Sequence, residues 1–379
     1  MKQTQINKIE WKEIVLGEIF EFENKTGIKA GEGLEEGKYK FFTSSDNQSK
    51  FLDRFNFNGE HLIFSTGGKA GLHYCNEPFS VSNDCFNVKV KSHSTKFVYY
   101  LLRSKIYLLE RGFKGAGLKH LSKDYLKKIK VKLPFLPNGS PDLKEQERIV
   151  NILEENERQI KRVGKAGDLL DEYLKSVFYE MFYRKGFAIK LLGEVCTKIT
   201  DGTHDTPKRT KEGVLFITGK NIRPFRLDLS EVEYVSKEDH KIIYSRCNPE
   251  FNDVMYTNIG ANVGTAVRNP FKIEFSMKNV ALLKPNKNEL LPHYLEHFLN
   301  NHISKNKILN MNSRGGAQEF LSLKMIRFIP LPLPPLPLQQ KFAKIVEHVE
   351  KMKENVNKTK QNAEELFNSL MSKAFRGEL

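Results

Sequence analysis

Three stretches of the 379-residue sequence carry residue types that could do chemistry, and the densest is "DGTHDTP", Asp201–Pro207. It places two acids and a histidine within five residues, and such side chains bind metal ions. No second cluster of histidines or acids lies nearby to complete a set of ligands. A turn capped by its own side chains explains the same residues. We therefore predict a turn here and no metal site.

The other two stretches are similar to parts of DNA-modifying enzymes. "PDLKEQE" (Pro141–Glu147) resembles the PD-(D/E)xK nuclease motif, but no E-x-K follows at strand spacing and the stretch begins a predicted helix. "NPF" (Asn269–Phe271) resembles the N-P-P-[YF] loop of N6-adenine methyltransferases but lacks the second proline. The sequence has no GxxxxGK[ST] phosphate loop, and His61, His73 and His93 have no serine or cysteine partner at a suggestive spacing. We predict no catalytic residue.

The charge of the chain favours a polyanionic partner. There are 61 Lys and Arg against 46 Asp and Glu, a net charge of +15 at pH 7, and such an excess is typical of proteins that bind nucleic acid. Between Lys96 and Lys132, eleven Lys and Arg stand against only Glu110 and Asp124. Phosphate binding and a solvated helix face both account for this run.

Cysteine usage and hydropathy indicate a reducing compartment. Cys75, Cys85, Cys196 and Cys247 form neither a CxxC pair nor a Cys/His ligand spacing, so we expect no disulfide framework and no zinc site. No stretch approaches the ~20 apolar residues of a membrane span, and the N-terminal residues lack the apolar segment of a secretory signal. We expect a cytoplasmic location.

A proline-rich phrase that occurs twice indicates an internal duplication. Ile129–Pro137 reads IKVKLPFLP, and Ile329–Pro337 reads IPLPLPPLP. The match continues without a gap from Gln146–Phe182 to Gln339–Phe375, at a fixed offset of 193 residues. Chance alignment rarely holds its register over several elements. Each half is therefore predicted to be a globular module, the proline phrase and a helix.

The proline phrase is predicted to be a stiff extended connector between module and helix. Proline cannot donate a ladder hydrogen bond and resists entering a helix, so the phrase would end the module and direct the next helix. A PxxP ligand motif for an SH3-like partner is the alternative.

The two long helices show a 4-3 repeat, which is the signature of a coiled coil. Each repeat covers ~40 residues, or roughly 60 Å of helix. Neither helix can bury its stripe alone, and we predict antiparallel pairing, because a two-fold relation buries equivalent surfaces on both copies. Gly164 and Gly167 weaken the first helix near its middle, and Lys353 and Lys360 are poor seam residues, so we expect looseness or a kink there. The predicted seam consists of Ile149, Leu153, Ile160, Val163, Leu170, Leu174, Val177, Phe342, Val346, Val349, Val356, Phe367 and Leu370.

The modules match at their edges and differ inside, where polar loops follow short predicted strands. YKFFTSSDNQSKF and VLFITGKNIRPF each run from an apolar strand into a polar turn. His61–Gly71 and Asp253–Gly264 are β-rich runs that end in glycines, and the offset of 193 places Gly67 on Gly260. Glycine permits close approach of the backbone to a ligand, although a plain hairpin turn explains either loop by itself.

These loops, and the glycine-containing loops that follow FVYYLL and HYLEHFLN, supply the candidate DNA contacts. Arg and Gln can read guanine and adenine in the major groove, and Lys more often holds phosphate. In the first module we predict contacts from Thr43, Ser44, Ser45, Thr66, Lys69, Lys114 and Lys119. In the second we predict contacts from His204, Lys220, Asn221, Arg223, Asn258, Asn262, Arg314 and Gln318.

The whole chain resembles the specificity (S) subunit of Type I restriction-modification enzymes. The most specific pieces are IPLPLPPLPLQQKFAKIV with the C-terminal AFRGEL, the pair IKVKLPFLP and LKEQERIVNIL, and DGTHDTP. The resemblance implies an α/β fold with two globular target-recognition domains joined by two long antiparallel coiled-coil helices, in a pseudo-two-fold duplication. The implied segments are target-recognition domains at residues 1–142 and 186–336, and conserved spacer helices at residues 143–185 and 337–379.

The same resemblance implies a non-catalytic subunit that reads a bipartite, asymmetric double-stranded DNA site. Two N6-adenine methyltransferase (M) subunits and ATP-dependent restriction (R) subunits would join it, with S-adenosylmethionine, ATP and Mg on those partners and no cofactor in this chain. Two departures stand out: "NGSPD" (Asn138–Asp142) lengthens the first connector, and the first module has no evident counterpart of DGTHDTP near Lys25–Ala30.

Two other classes of function remain open on the sequence. One is a coiled-coil protein-interaction scaffold without specific DNA binding, in which the basic charge is incidental. The other is a stand-alone methyltransferase or nuclease, which would require S-adenosylmethionine binding or metal-dependent cleavage by the chain itself.

Overall fold

The computed structural model describes residues 9–115, 119–183, 185–312 and 320–379, which divide into two compact units. Unit 1 runs to Gly164 and resumes at Asn357, and unit 2 is Lys165–Val356. None of the helices in the described ranges combines the length and apolar content needed to span a membrane.

Unit 1 is built from short strands and helices that precede one long helix. The strands are β1 (Glu10–Val15), β2 (Phe20–Phe22), β3 (Tyr39–Phe42), β4 (Lys50–Leu52), β5 (His61–Ser65), β6 (Leu72–Cys75), β7 (Phe79–Val81), β8 (Cys85–Val90), β9 (Phe113–Lys114), β10 (His120–Leu121) and β11 (Lys130–Phe135). The helices are α1 (Leu16–Ile19), α2 (Thr95–Ser104), α3 (Tyr107–Glu110), α4 (Lys123–Lys128) and the first part of the long α5 (Leu143–Phe182), which continues into unit 2. A 3₁₀ turn lies at Ala30–Glu32.

In the described part of unit 1, a four-stranded antiparallel sheet has the order β2-β8-β5-β6, and a three-stranded sheet has the order β4-β3-β7 with β3 and β7 parallel. β1 pairs antiparallel with β11. β5 is buried along its whole length, as its continuous apolar run requires of a central strand. Helix α2 begins where the Ser94 hydroxyl accepts the Phe97 N–H (3.2 Å), and it packs Phe97 and Leu101 onto this sheet.

Unit 2 repeats this plan with different elements inserted. Its strands are β12 (Ile189–Leu191), β13 (Cys196–Asp201), β14 (Val214–Thr218), β15 (Ile222–Arg223), β16 (Arg226–Leu227), β17 (Glu233–Val235), β18 (Val254–Tyr256), β19 (Ala266–Arg268), β20 (Ser276–Lys278), β21 (Ala281–Pro285) and β22 (Pro330–Pro332). Its helices are α6 (Leu192–Val195), α7 (Lys237–Cys247), α8 (Pro292–Asn300), α9 (His302–Asn312), α10 (Leu323–Arg327) and the first part of the long α11 (Leu336–Ala374), which continues into unit 1. A 3₁₀ turn lies at Gly219–Asn221.

The strand pairings confirm the predicted duplication. In the described part of unit 2 the sheets have the orders β13-β21-β18-β19 and β17-β14-β20, and β12 pairs with β22. These orders match those of unit 1 strand for strand, including the parallel pair β14 and β20. A shared pairing pattern of this length is evidence of one fold used twice.

The proline phrase is more than a connector, which corrects the prediction. Trp11 pairs with Pro134 in β1–β11, and Ile189 pairs with Pro332 in β12–β22. Each phrase therefore begins as the strand that closes its module. Each closing strand has a single partner in its sheet, and such an edge position tolerates proline because no second neighbour needs its missing N–H.

Within each unit the two long helices run antiparallel, as predicted. In unit 1 the Arg148 guanidinium donates to the Leu379 carbonyl (3.1 Å), and further along α5 Glu157 binds Arg103, whose guanidinium lies over the Phe367 ring. From the first contact to the second, the residue number rises along α5 from 148 to 157 and falls in the C-terminal segment from 379 to 367. The two helices therefore run in opposite directions.

In unit 2 the two long helices also run antiparallel. There Asp171 of α5 forms an ion pair with Lys353 of α11, and Phe178 packs against Phe342 (5.6 Å between ring centroids). The predicted seam residues Leu174, Val346 and Val349 join this core.

Near the middle of the long helices, where the sequence predicts a loose seam, the seam positions are poorly buried. Lys360 is exposed, and a β-carbon on Gly164 would have no neighbour within 4 Å among the residues that the structure describes. On Gly167 a β-carbon would meet the Val356 side chain at 3.7 Å. Helix α5 nevertheless continues through both glycines.

A buried glutamine fixes each module to its long helix. Gln339 of α11 accepts the Leu291 N–H at the start of α8 (2.8 Å) and donates to the carbonyls of Glu289 and Pro334 (2.8 Å each). Its side chain has no exposed surface. Because one amide satisfies groups from two segments, the stretch before α8 and the proline phrase, the angle between module and helix is strongly constrained.

Gln146 does the same in unit 1. It accepts the Ser94 N–H (2.9 Å), and its amide nitrogen lies 2.8 Å from Nδ1 of His93. Burial lowers the pKa of His93, which favours the neutral ring whose nitrogen can accept this hydrogen bond.

Candidate nucleic-acid interface

Two predicted loops of unit 1 meet at one turn, residues 82–84, which we call the Asp84 turn. The hydroxyl groups of Ser44 and Thr66 both donate to the Asp84 carbonyl, Thr66 at 2.7 Å. The Thr66 and Gly67 N–H groups approach Ser44 Oγ at 3.2 and 3.4 Å. These hydroxyls therefore hold the loops together, and the exposed side chains beside them, Ser45 and Lys69, are the freer candidates for contact with DNA.

The β9–β10 hairpin joins the same cluster. The Leu121 N–H donates to the Thr66 carbonyl (2.9 Å), and Gly67 forms a bridge with His120. Lys114 lies opposite His120 in this hairpin, and Lys119 precedes it. The structure thus brings Lys69, Lys114 and Lys119 onto neighbouring loops, and all three are exposed.

In unit 2 the corresponding loops line an open cleft of about 460 Å³. Predicted contacts Lys220 and Asn262 lie on it, with Gly219, Gly260 and Asn279. The cleft also contains Arg209 and Lys278, which the sequence did not single out. Among the described residues that line it, Glu233 is the single acid. The balance of charge suits a phosphodiester backbone.

Arg209 is held in place at the cleft by several groups. It forms an ion pair with Glu233 (2.6 Å), donates to the Pro207 carbonyl (2.7 Å), and lies over the Phe216 ring at 4.3 Å. Lys278 donates to the Thr206 hydroxyl. No local signal marks these two residues, because Arg209 precedes β14 whereas Lys278 ends β20, about 70 positions later, and they meet only in the folded sheet.

Equivalent hydrogen bonds correct the predicted alignment of the loops. Leu321 N–H donates to the Asn258 carbonyl (2.8 Å), just as Leu121 N–H donates to Thr66. Asn258 therefore corresponds to Thr66, an offset of 192, and Gly260 corresponds to Gly68. Gly68 and Gly260 share positive φ angles of 79° and 92°, where a β-carbon would be strained. The predicted match of Gly67 with Gly260 is wrong by one residue.

Two predicted contacts prove to be buried within the protein. The Asn221 amide accepts the Thr218 N–H (2.9 Å) and donates to the carbonyls of Asp228 (3.0 Å) and Glu231 (3.2 Å). Asn258 is 3% exposed and donates to the Leu321 carbonyl (3.3 Å). Neither side chain can reach a base without breaking these bonds, so both are corrected to residues that shape the loops.

The remaining predicted contacts lie at or near the surface. Thr43 and Arg223 are half-buried, and Arg223 donates to the Lys220 carbonyl (2.8 Å) with its other nitrogen 3.5 Å from Asp228. Hydrogen bonds from Ser230, with a smaller effect of Arg223, lower the pKa of Asp228. Arg314 and Gln318 lie outside the described residues.

The "DGTHDTP" stretch forms the predicted turn at the border of the cleft. Buried Asp201 binds Arg246 and His204 (2.7 Å each), and the second ring nitrogen of His204 lies 3.1 Å from Asn279 Oδ1. A β-carbon on Gly202 would collide with the Met277 carbonyl, so this position requires glycine. His204 is thus an exposed ring held in one orientation.

Two observations concern metal binding and nucleophilic side chains in the described ranges. In these ranges no three His, Cys, Asp or Glu side chains come together as a metal site would require. Burial raises the pKa of the Cys85 thiol beside the Asp84 turn to about 11, so it is protonated at neutral pH and a poor nucleophile.

Comparison with known proteins agrees with this arrangement. The sequence profile of the Type I restriction modification DNA specificity domain matches residues 8–166 and 185–365. The chain belongs to the Type I restriction-modification specificity-subunit family. The predicted family and the predicted class, a non-catalytic subunit, are thereby confirmed.

Relatives of this specificity subunit are distant in sequence. The EcoDI specificity subunit of Escherichia coli is 21% identical over 416 residues, covering 98% of this chain and 89% of that protein. The putative MjaX specificity subunit of Methanocaldococcus jannaschii is 24% identical over 191 residues, so the match spans 49% of this chain and 45% of that protein. The crystal structure of the Type-I restriction-modification system S subunit from M. genitalium superposes with a TM-score of 0.60 at 18% identity, covering 99% and 98% of the two chains. At that identity the likeness concerns the fold.

Proposed function

We propose that this specificity subunit reads a bipartite, asymmetric site in double-stranded DNA, with one half-site bound by each unit. The observation that carries the proposal is that two units with the same strand pairing present different side chains from equivalent loops. Ser45 in unit 1 takes the place of Lys220 in unit 2, and Lys69 takes the place of Ala261. All four side chains are exposed. Equivalent frames with unlike loops suit two unlike half-sites.

The candidate contacts divide into two chemical classes. Lys69, Lys114, Lys119 and Lys220 are exposed, and lysine at such places binds phosphate and positions the protein. Asn262 lines the unit 2 cleft, and an asparagine amide can read an adenine edge through two hydrogen bonds. Phosphate contacts would supply affinity in both units, and the short polar side chains would supply sequence preference.

The proposal includes the partners of the chain. Two methyltransferase subunits would dock on its two equivalent halves, and restriction subunits would join them, in the cytoplasm. S-adenosylmethionine, ATP and Mg would be bound by these partners, and this chain would contribute positioning and DNA recognition.

The test begins with selection of duplexes from a randomised DNA pool by the full-length chain. We expect a consensus of two separated half-sites, and affinity that falls steeply with salt, because each lysine on a phosphate releases counterions. Lys220→Gln should reduce the magnitude of the slope of log affinity against log salt concentration by about 0.9. Lys344→Gln, an exposed lysine of α11, is the matched control.

Failure to select any consensus, together with weak binding that ignores salt, would replace this proposal by the protein-interaction scaffold. Methylation or cleavage of the duplex by the purified chain alone would instead favour an enzyme. Either outcome contradicts the assigned function.

A further inference from the structure

We propose that Lys29 is a DNA-contacting residue of unit 1 and takes the place that His204 occupies in unit 2. The inference rests on the proposed function and adds to it a contact that the sequence did not mark. It also supplies unit 1 with the counterpart of "DGTHDTP" that its sequence lacks.

The strand register places the two residues in equivalent positions. In the parallel pairs, Phe42 aligns with Val81 in unit 1 and Ile217 aligns with Met277 in unit 2. Two residues beyond Val81 and Met277, each unit has an asparagine, Asn83 and Asn279. Val81–Asn83 of unit 1 and Met277–Asn279 of unit 2 therefore occupy equivalent positions at the ends of their strands.

Each of these asparagines binds the backbone just before the residue in question. Asn83 N–H donates to the Ile28 carbonyl (2.9 Å), and Asn279 N–H donates to the Thr203 carbonyl (3.3 Å). Ile28 thus corresponds to Thr203, and the next residues are Lys29 and His204. The four-residue stretches then align as T-G-I-K and D-G-T-H, with the glycine in common.

The asparagine side chains support the same alignment. Asn83 Oδ1 accepts the Gly27 N–H (2.9 Å), and Asn279 Oδ1 lies 3.1 Å from the His204 ring. In both units the asparagine binds the T-G-I-K or D-G-T-H stretch through backbone and side chain together.

Lys29 borders the loop cluster that carries the other candidate contacts. Asn83 belongs to the Asp84 turn, whose Asp84 carbonyl accepts the hydroxyl groups of Ser44 and Thr66. In unit 2, Asn279 lines the cleft that contains Lys220. The Lys29 and His204 segments therefore flank equivalent loops.

The local charges leave the Lys29 ammonium available. Its backbone N–H donates to Glu32 Oε1 (2.8 Å), while Glu32 Oε2 pairs with Arg54 (3.0 Å). Within the described ranges no carboxylate lies at ion-pair distance from the Lys29 ammonium, which is exposed. An exposed, unpaired cation fits a DNA phosphate, whereas the oriented His204 ring fits a directional contact with a base or sugar.

The experiment measures binding of the full-length chain to the duplex that the wild-type chain selects from a randomised pool, over a range of salt concentrations. Lys29→Gln should lower the magnitude of the slope of log affinity against log salt by about 0.9, the value for one lost phosphate contact. Lys29→Arg should retain the slope. Lys144→Gln removes an exposed lysine from α5 and should leave the slope unchanged.

A Lys29→Gln chain with the wild-type slope and affinity would overturn the assignment of Lys29 while leaving the proposed function intact. A wild-type chain that selects no duplex would overturn the proposed function and this inference together. Equal losses in Lys29→Gln and Lys144→Gln would show a general effect of charge and would also overturn the assignment.

Discussion

Acid should destabilise unit 2 through two buried histidines of α8. Nε2 of His293 lies 2.8 Å from an Arg268 guanidinium nitrogen, and burial together with this cation lowers the pKa of His293 to about 4. His297 lies between the Phe225 and Phe342 rings, and burial, with Arg268 adding to it, lowers its pKa to about 3. Glu347 stands 3.7 Å from His293 but is 62% exposed, so solvent screens its attraction for a protonated ring.

The sign and size of this change in unfolding free energy follow from proton linkage. An unfolded histidine has a pKa of about 6.5, above both folded values, so the unfolded chain binds more protons. The stability that the two neutral histidines contribute is fully present above about pH 6.5, and it is lost as the pH falls toward their folded pKa values. At pH 5, about 1.5 units below the unfolded pKa, each ring costs about 2 kcal/mol, or roughly 4 kcal/mol for both.

Hydrogen exchange of α8 peptides in increasing urea, corrected for intrinsic rates, measures this loss at pH 7.5 and pH 5. The control is the double variant His293→Gln and His297→Phe, which keeps an acceptor for Arg268 and an aromatic ring while removing both titrations. The difference between the two pH values should shrink by roughly 4 kcal/mol in the variant. Equal acid sensitivity in wild type and variant would refute the reasoning.

Two further predictions concern the joints of the fold. Gln339→Leu leaves the Leu291 N–H and two carbonyls without their buried partner and should cost about 1–3 kcal/mol in urea unfolding, whereas exposed Gln340→Leu should change little. Leu174→Asp places a carboxylate in the core between α5 and α11 and should cost at least several kcal/mol, seen as faster limited proteolysis of unit 2. Leu169→Asp, on the exposed face of α5, is its control, and equal proteolysis of the two would contradict the predicted packing.

The sequence by itself determined the duplication, the two long helices and their apolar seam. A repeat such as Ile149, Leu153 and Leu174 can be read from spacing because burial along a helix is periodic over a few residues. The match of the proline phrases also predicted where each module ends, although it did not reveal that each phrase closes a sheet. Family membership likewise followed from motifs that are continuous in the chain.

Only the tertiary structure decided which loop residues share a surface. The sequence suggests that Asn221 is an exposed loop residue, yet its side-chain amide is buried and hydrogen-bonded to the backbone of its own loop. Arg209 and Lys278 meet at one cleft because β14 pairs in parallel with β20, and parallel pairing joins segments that are distant in sequence. The equivalence of Lys29 and His204 depends on that same non-local register, which no local pattern in either stretch records.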